Sequence, residues 1–275
     1  MTNQDDIFSQ LGTIALIGGG RMGEAIVAGL VQGALLSPEA IIVAEPSSER
    51  RHFLTQNFGV RSVENGAQIS HPQTCILAVK PQVVRTVAHS LAQEARFRPE
   101  RVISIAAGIH TSVLTDIFPQ AQVVRVMPNA PLLVGAGMSA VAMGENTSVT
   151  EGRLVQALFS LLGEAVLLDE SLIDAATALS GSGPAYFAFF VEQLISSGQS
   201  LGLPAAVAEQ LALQTFMGTA RQLQLSSVTP AELRDAVTSP GGTTQAALES
   251  LEADDLAAIV RRAVTAAWRR AVEMA

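Results

Sequence analysis

Residues Thr13 to Leu30 read T-I-A-L-I-G-G-G-R-M-G-E-A-I-V-A-G-L. Ile14 to Ile17 are apolar and in part β-branched, the pattern of a strand buried on both faces. Gly18, Gly20 and Gly23 follow in G-x-G-x-x-G spacing, enclosing Arg21 and Met22, and Glu24 to Leu30 has helical character. In such a turn the first glycine makes the tight bend, the second lets backbone approach a pyrophosphate, and the third lets the helix pack on the strand. The start of the helix offers unpaired N–H groups to the phosphates. In a chain with 22 glycines the spacing means little by itself. The strand before it and the helix after it are what point to a dinucleotide site made by Gly18, Gly20, Arg21, Met22 and Gly23.

Working outward, Gly33 and Pro38 end the first helix, and Ile41 to Ala44 is a second strand. Glu45 stands about where an acidic residue would hold the ribose 2′-hydroxyl of NAD. Ser47, Ser48, Arg50 and Arg51 follow at once and could instead hold the 2′-phosphate of NADP. The two signals conflict. Gln73 to Val79 is another buried strand, ending in Lys80-Pro81-Gln82. Lys80 is the only lysine, because the other basic side chains are all arginine. At the carboxyl edge of a strand, where open α/β sheets bind ligands, Ala78, Lys80 and Pro81 are candidates to line the cofactor site. Lys80 is also a candidate catalytic residue.

Arg101 to Ile105 is a further strand, closing in Ala106-Ala107-Gly108, where small residues would let a flat ring approach the backbone. Val123 to Met127 is the next, and it ends in Pro128-Asn129-Ala130-Pro131. Asn129 either offers its amide to a ligand or forms an Asx-turn. Gly135 to Met143 and Ala165 to Leu168 add strands, with an apolar helix from Leu154 to Leu162 between them. Alternating strands and helices predict a doubly wound parallel sheet over residues 1–168.

From Asp169 helical periodicity takes over, and residues 169–275 form an expected all-helical domain. Leu172 to Leu179 is one helix, interrupted by Gly181-Ser182-Gly183-Pro184. Ala185 to Ser196 is apolar nearly all round, which predicts a buried helix and suggests a partner subunit. Pro204 to Leu225 is a long helix. Thr229-Pro230-Ala231-Glu232 has the makings of a capping box. Ser239-Pro240-Gly241-Gly242-Thr243-Thr244 opens a helix from Gln245 and reads as a second anion site, without a basic residue, suited to a carboxylate as well as a phosphate. The expected donors are the Ser239 hydroxyl and the Gly242 and Thr243 amides. Glu249 to Arg270 closes the chain as one charged-faced helix.

Composition narrows the class. A formal net charge of −8 with no basic block argues against nucleic-acid binding, and a single cysteine, Cys75, excludes a disulfide framework or a Cys-rich zinc site. No metal site is expected. No apolar run approaches the ~20 residues of a membrane span, and the opening M-T-N-Q-D-D lacks a signal-peptide pattern, so a cytoplasmic location is expected.

Together the blocks I-G-G-G-R-M-G, A-V-K-P-Q, R-V-M-P-N-A-P, L-S-G-S-G-P-A-Y and V-T-S-P-G-G-T-T-Q-A-A-L-E-S-L-E resemble the pyrroline-5-carboxylate reductases over nearly the whole chain. The resemblance implies a Rossmann-like domain, a helical domain that interleaves with a second subunit, and NAD(P)H-dependent reduction of a cyclic imine to L-proline. It implies a homodimer core, with a higher homo-oligomer such as a decamer open. NADPH is the expected cofactor, with NADH possible. Ser47, Arg50, Ala106, Gly108 and Asn129 are the further candidates for the cofactor, and the resemblance implies that the segment from Ser47 to Arg50 faces the adenosine ribose. Ser239, Gly241, Gly242, Thr243 and Thr244 are the candidates for the substrate, and Thr244 matches the threonine that in the family bonds the imine nitrogen. Two departures stand out: Ala130, where the family usually has threonine, and Glu45. His52, His71, His89 and His110 all lie in the first half, and no lysine follows Lys80. That excludes a hydroxy-acid dehydrogenase with a catalytic histidine in its second domain and disfavours one with a catalytic lysine there. The alternatives kept are a reductase of another small cyclic imine and a non-catalytic NAD(P)-sensing protein.

Overall fold

The computed structural model describes residues 10–33 and 36–274. Along the first part of the chain run β1 (Ile14–Ile17), α1 (Arg21–Gln32), β2 (Ile41–Ala44), α2 (Ser48–Phe58), β3 (Arg61–Val63), β4 (Thr74–Leu77) and α3 (Pro81–Gln93). Then come β5 (Arg101–Ser104), α4 (Thr111–Ile117), β6 (Gln122–Pro128), β7 (Gly137–Met143), α5 (Val149–Ser160) and β8 (Gly163–Leu167). The strands make one sheet in the order β3-β2-β1-β4-β5-β6-β7-β8. The chain winds outward from β1 in one direction through β2 and β3, then returns to β4 on the other side. The gap between β1 and β4 is therefore the topological switch point, where sheets of this kind bind ligands beyond the strand ends.

Burial explains the elements. β1, β2, β4 and β5 are buried on both faces. On one face Ile14, Leu16, Val43 and Ile76 pack with Ile26 and Leu30 of α1, Leu54 of α2 and Leu158 and Phe159 of α5. On the other, Ala15, Ile17, Cys75 and Leu77 pack with Val84 and Leu91 of α3 and Leu114 of α4. Strands covered twice carry apolar residues at consecutive positions rather than alternate ones. β3 escapes such a reading because Arg61 and Ser62 are polar and the strand lies at the open edge.

The expected all-parallel sheet needs one correction. β3, β2, β1, β4, β5 and β6 are parallel, but β7 runs antiparallel to β6, and β8 is parallel to β7. The cause is the connection: Ala130–Val134 is a 3₁₀ turn closed by Gly135, and no helix intervenes. A parallel neighbour would need a crossover of a dozen or more residues.

After β8 come a 3₁₀ turn (Glu170–Leu172), α6 (Ile173–Ala176) and a π-helical turn (Thr177–Gly181). Then follow α7 (Gly183–Ser200), α8 (Ala205–Leu225), α9 (Pro230–Ala236), α10 (Thr243–Ala253) and α11 (Leu256–Glu273). The chain divides into two compact units, one running to Ser182 and resuming at Ala267, the other spanning Gly183–Ala266. The first unit thus reaches beyond the residue-168 boundary read from periodicity. Arg125 of β6 is buried and pairs with Glu170 at 3.5 Å and Asp174 at 3.3 Å, which fastens the segment after β8 to the sheet.

Two helix readings also change. Gly181 to Pro184 spans the close of a π turn, with the Ser182 N–H donating to the Thr177 carbonyl at 2.9 Å, and α7 starts at Gly183. The single closing helix is two, because Asp255 adopts φ +50° and its carboxylate accepts the Ala258 N–H at 3.3 Å. Aspartate tolerates that backbone and favours helix starts, so Asp254-Asp255 separates α10 from α11. Thr229 and Glu232 do form the capping box of α9.

Within Gly183–Ala266 only Gly183, Val191, Ala208 and Ala212 are buried. Phe187 and Phe189, on the helix expected to be buried, are 56% and 63% exposed in the single chain. Phe187 touches Phe216 of α8, ring centres 5.5 Å apart, but Phe189, Phe190 and Leu194 of α7 and Leu211, Leu213 and Met217 of α8 are exposed in the single chain. Among the described residues no helix is long and apolar enough to cross a membrane.

Candidate active site

The carboxyl edge of the parallel strands gathers every residue assigned to the cofactor from sequence. Gly18 to Gly23 follow β1, Ser47 and Arg50 follow β2, Ala78, Lys80 and Pro81 follow β4, Ala106 and Gly108 follow β5, and Asn129 follows β6. Their neighbours differ, and so does what each can do.

The glycine turn has the shape a pyrophosphate requires. Gly18 has φ +109°, and a Cβ there would stand 2.7 Å from the Ala78 carbonyl oxygen. Ala78 itself donates its N–H to Ile17 at 2.8 Å, so β1 and β4 stay joined up to the turn. A Cβ on Gly23 would overlap the Gly18 carbonyl oxygen. Gly20 is exposed, and nothing lies within 4 Å of where its Cβ would be. Gly20 caps α1 without a side chain, and its carbonyl accepts the first helical bond, from Glu24 at 2.8 Å. The Arg21, Met22 and Gly23 amides therefore have no partner inside the helix. An open approach over Gly20 onto such amides fits a dinucleotide pyrophosphate.

Around this turn stands a clamp that sequence reading missed. The Glu45 carboxylate accepts the N–H of Gly19 and the N–H of Ser47, each at 2.9 Å. Arg50 donates from Nε and Nη2 to the Gly19 carbonyl at 3.1 and 2.7 Å, and Nη2 pairs with Glu24 at 2.6 Å. Ser47 is the N-cap of α2, its hydroxyl accepting the Arg50 N–H at 3.3 Å. Arg50 and Glu45 thus hold the glycine turn by opposite ends of one peptide residue.

Lys80 is exposed at the N-cap of α3, its ammonium bonded to no described residue, with Pro81 at the first helical position. Gly108 has a different neighbour from the flat ring expected: a Cβ there would collide with the carbonyl of Met274, so the end of α11 explains the glycine. Ala106 is buried, its N–H donating to the Ser104 hydroxyl at 3.3 Å. Asn129 uses its side chain inside the protein. Oδ1 accepts the Met138 N–H at 2.8 Å, and Nδ2 donates to the Ser180 carbonyl at 3.2 Å. Pro184 has no N–H to offer that carbonyl four residues back, so Asn129 satisfies it and seats the π turn. A short motif could not reveal this partner, 51 residues away.

The second loop lies in the helical unit. Gly241 takes φ +70°, and Gly242 is the N-cap of α10. The Gly241 N–H donates to the Gln245 side chain at 2.7 Å, and the Gly242 N–H to the Ser239 carbonyl at 3.0 Å. The donor set read from sequence is corrected here: the Gly242 amide closes its own turn. Ala246 makes the first helical bond, to Gly242, so the amides of Thr243, Thr244 and Gln245 have no partner inside the helix. Thr243 is exposed and Thr244 half-buried.

Comparison with known proteins follows the same division. Residues 170–274 match the family described as pyrroline-5-carboxylate reductase dimerisation, and residues 13–108 match one described as NADP oxidoreductase, coenzyme F420-dependent. The chain is 43% identical over 262 residues to a pyrroline-5-carboxylate reductase of Synechocystis sp., covering 95% of this chain and 97% of the relative. It belongs to the pyrroline-5-carboxylate reductase family. A member from Pseudomonas aeruginosa is 40% identical, with 95% and 96% covered. Among solved members of the family, the Coxiella burnetii structure superposes with a TM-score of 0.88 at 33% identity, covering 96% of this chain and 99% of that one. A Plasmodium falciparum member solved with NADP bound gives 0.82 at 29% identity, with 96% and 98% covered. As a pyrroline-5-carboxylate reductase family member, the chain carries a dimerisation segment, and the exposed apolar faces of α7 and α8 lie within it.

Proposed function

We propose that this chain reduces 1-pyrroline-5-carboxylate to L-proline with NAD(P)H, the last step of proline synthesis. Family membership over almost the whole chain carries the reading, and the open turn at Gly20 supports it. The cofactor supplies a hydride when bound. The Arg21, Met22 and Gly23 amides would hold its pyrophosphate, and Lys80, Pro81, Ala78, Ala106 and Asn129 stand on loops that would surround the rest.

In the helical unit the Thr243 and Gln245 amides and the Ser239 hydroxyl hold the substrate carboxylate at the positive end of α10. Thr244 is the catalytic side chain of this loop. Its hydroxyl donates to the ring nitrogen of a neutral imine, or accepts from an iminium N–H. Reduction makes the carbon–nitrogen double bond single; a neutral imine then takes one proton from water at the ring nitrogen, whereas an iminium already carries it. A hydrogen bond donated by Thr244 favours that change because electron density moves onto the nitrogen as it proceeds, whereas towards an iminium the hydroxyl accepts the N–H and orients the ring. Lys80, whose ammonium bonds no described residue, stands at the strand edge to attract the cofactor phosphates and takes no proton in this scheme.

Dimerisation covers α7 and α8 with the same faces of a second copy, and further assembly of dimers, a decamer among them, belongs to the same reading. So does a cytoplasmic location. The experiment is direct. Purified protein is mixed with NADPH or NADH and 1-pyrroline-5-carboxylate, loss of absorbance at the reduced nicotinamide band is followed, and proline is identified as product. No turnover with tight dinucleotide binding, or turnover only with a six-membered cyclic imine, would overturn the assignment.

A further inference from the structure

The structure bears on which dinucleotide the site prefers, through the end of β2. Glu45 is held in place there: Oε2 accepts the Gly19 N–H and Oε1 the Ser47 N–H, both at 2.9 Å. Each carboxylate oxygen has two lone-pair positions and gives one to a backbone amide, so each keeps one. Two remaining acceptors match a vicinal diol, and the second strand's end is where a bound dinucleotide places its adenosine ribose.

The cationic side chains that might receive a 2′-phosphate are engaged. Arg50 grips the Gly19 carbonyl and Glu24 and lies over the Phe53 ring, 4.9 Å from its centre. Arg51 donates from Nη1 to the carbonyls of Glu45 and Pro46 at 2.7 and 2.6 Å. The Ser47 hydroxyl caps α2. A 2′-phosphate would find only the remaining N–H groups of Arg50 and Arg51, since Nε and Nη2 of one and Nη1 of the other are spent on backbone carbonyls and Glu24, and it would stand beside a carboxylate that cannot swing away without releasing two amides. Like charges so placed are penalised.

We propose that Glu45 is the residue that sets cofactor choice, and that it favours NAD(H), the dinucleotide without the 2′-phosphate. This reverses the expectation drawn from Ser47 and Arg50, and it rests on the reading of Gly18 to Gly23 as the dinucleotide site.

Calorimetric titration of the intact protein with NAD⁺ and with NADP⁺ tests it without any turnover. A ribose hydroxyl bonded to a carboxylate is worth roughly tenfold or more in affinity, so NAD⁺ should bind the native protein at least about tenfold more tightly. Glu45→Ser, which removes the carboxylate, should weaken NAD⁺ and strengthen NADP⁺, inverting the ratio. Glu45→Gln keeps the length and one amide acceptor, so it preserves more of the clamp while losing the charge, and it should shift the ratio the same way. Tighter NADP⁺ binding by the native protein would overturn the proposal. An equal loss for both dinucleotides in both variants would also overturn it, leaving Glu45 a clamp of the glycine turn and nothing more. Native protein that binds neither dinucleotide would instead strike the underlying site.

Discussion

Gly20 and Gly23 sit three residues apart in one turn, and the structure gives them opposite responses to the same added methyl group. At Gly20 nothing lies within 4 Å of the new Cβ. Gly20→Ala should fold as the native chain does, with stability lowered by roughly 0.5–1 kcal/mol at this cap position. Its methyl would fill the space through which a pyrophosphate reaches the first-turn amides. Loss of that close approach lengthens the amide–phosphate hydrogen bonds, and losing one such charge-assisted bond, about 1.5–3 kcal/mol, weakens binding roughly 10–100-fold. At Gly23 the methyl would overlap the Gly18 carbonyl oxygen, which is backbone and has no rotamer to escape by. The helix must shift from the strand, so Gly23→Ala should lose about 1–3 kcal/mol as an overpacked site does. For a unit of this size that lowers Tm by roughly 2–12 °C, together with the loss of binding. Thermal unfolding and calorimetric titration with the preferred dinucleotide, run on both variants, separate the cases. Native-like dinucleotide affinity in Gly20→Ala would refute the reasoning, since it would mean that no phosphate passes over Gly20.

Thr244→Val keeps the shape of the side chain and removes its hydroxyl; kcat for pyrroline-5-carboxylate should fall by about 10²–10³, a loss of roughly 2–4 kcal/mol, with dinucleotide affinity unchanged. Steady-state kinetics with an unaltered kcat would remove Thr244 from the chemistry. Phe189, 63% exposed in the single chain, is expected to lie in a subunit contact. Phe189→Asp should dissociate or precipitate the assembly in light-scattering measurements, and a soluble native-size oligomer would place the contact elsewhere. Burial pushes the Cys75 thiol far above its ordinary pKa, so a thiol reagent should label it only after unfolding. Rapid labelling of native protein would show that β4 opens locally.

Much of the site was legible because its signals are local. The strand at Ile14–Ile17, the glycine turn and the helix after it follow from neighbouring residues, as does the Thr229–Glu232 capping box, whose members are three residues apart. The spacing of Gly18, Gly20 and Gly23 and the free amides of α1 are local signals, although Ala44, Ala78, Glu45 and Arg50 hold the turn from outside it. The helical stretch after Asp169 was equally plain, and its exposed aromatics explain why apolarity alone suggested burial: the pattern asks for a cover without saying whose chain supplies it.

What tertiary structure alone decided concerns partners far apart in sequence. The direction of β7 depended on whether a helix fitted between Asn129 and Ala136, and a 3₁₀ turn took that space. Asn129 reads either as a ligand donor or as an Asx-turn, and only the fold shows its amide donating to Ser180, 51 residues on. Gly108 reads as room for a ring, and only the fold shows that a side chain there would meet the Met274 carbonyl. Glu45 and Arg50 give conflicting signals about the cofactor because both readings depend on whether their charges face a ligand. Gly19, 26 and 31 residues away, engages both. A hydrogen-bonding side chain has few positions to give, and only the folded chain determines which neighbour claims them.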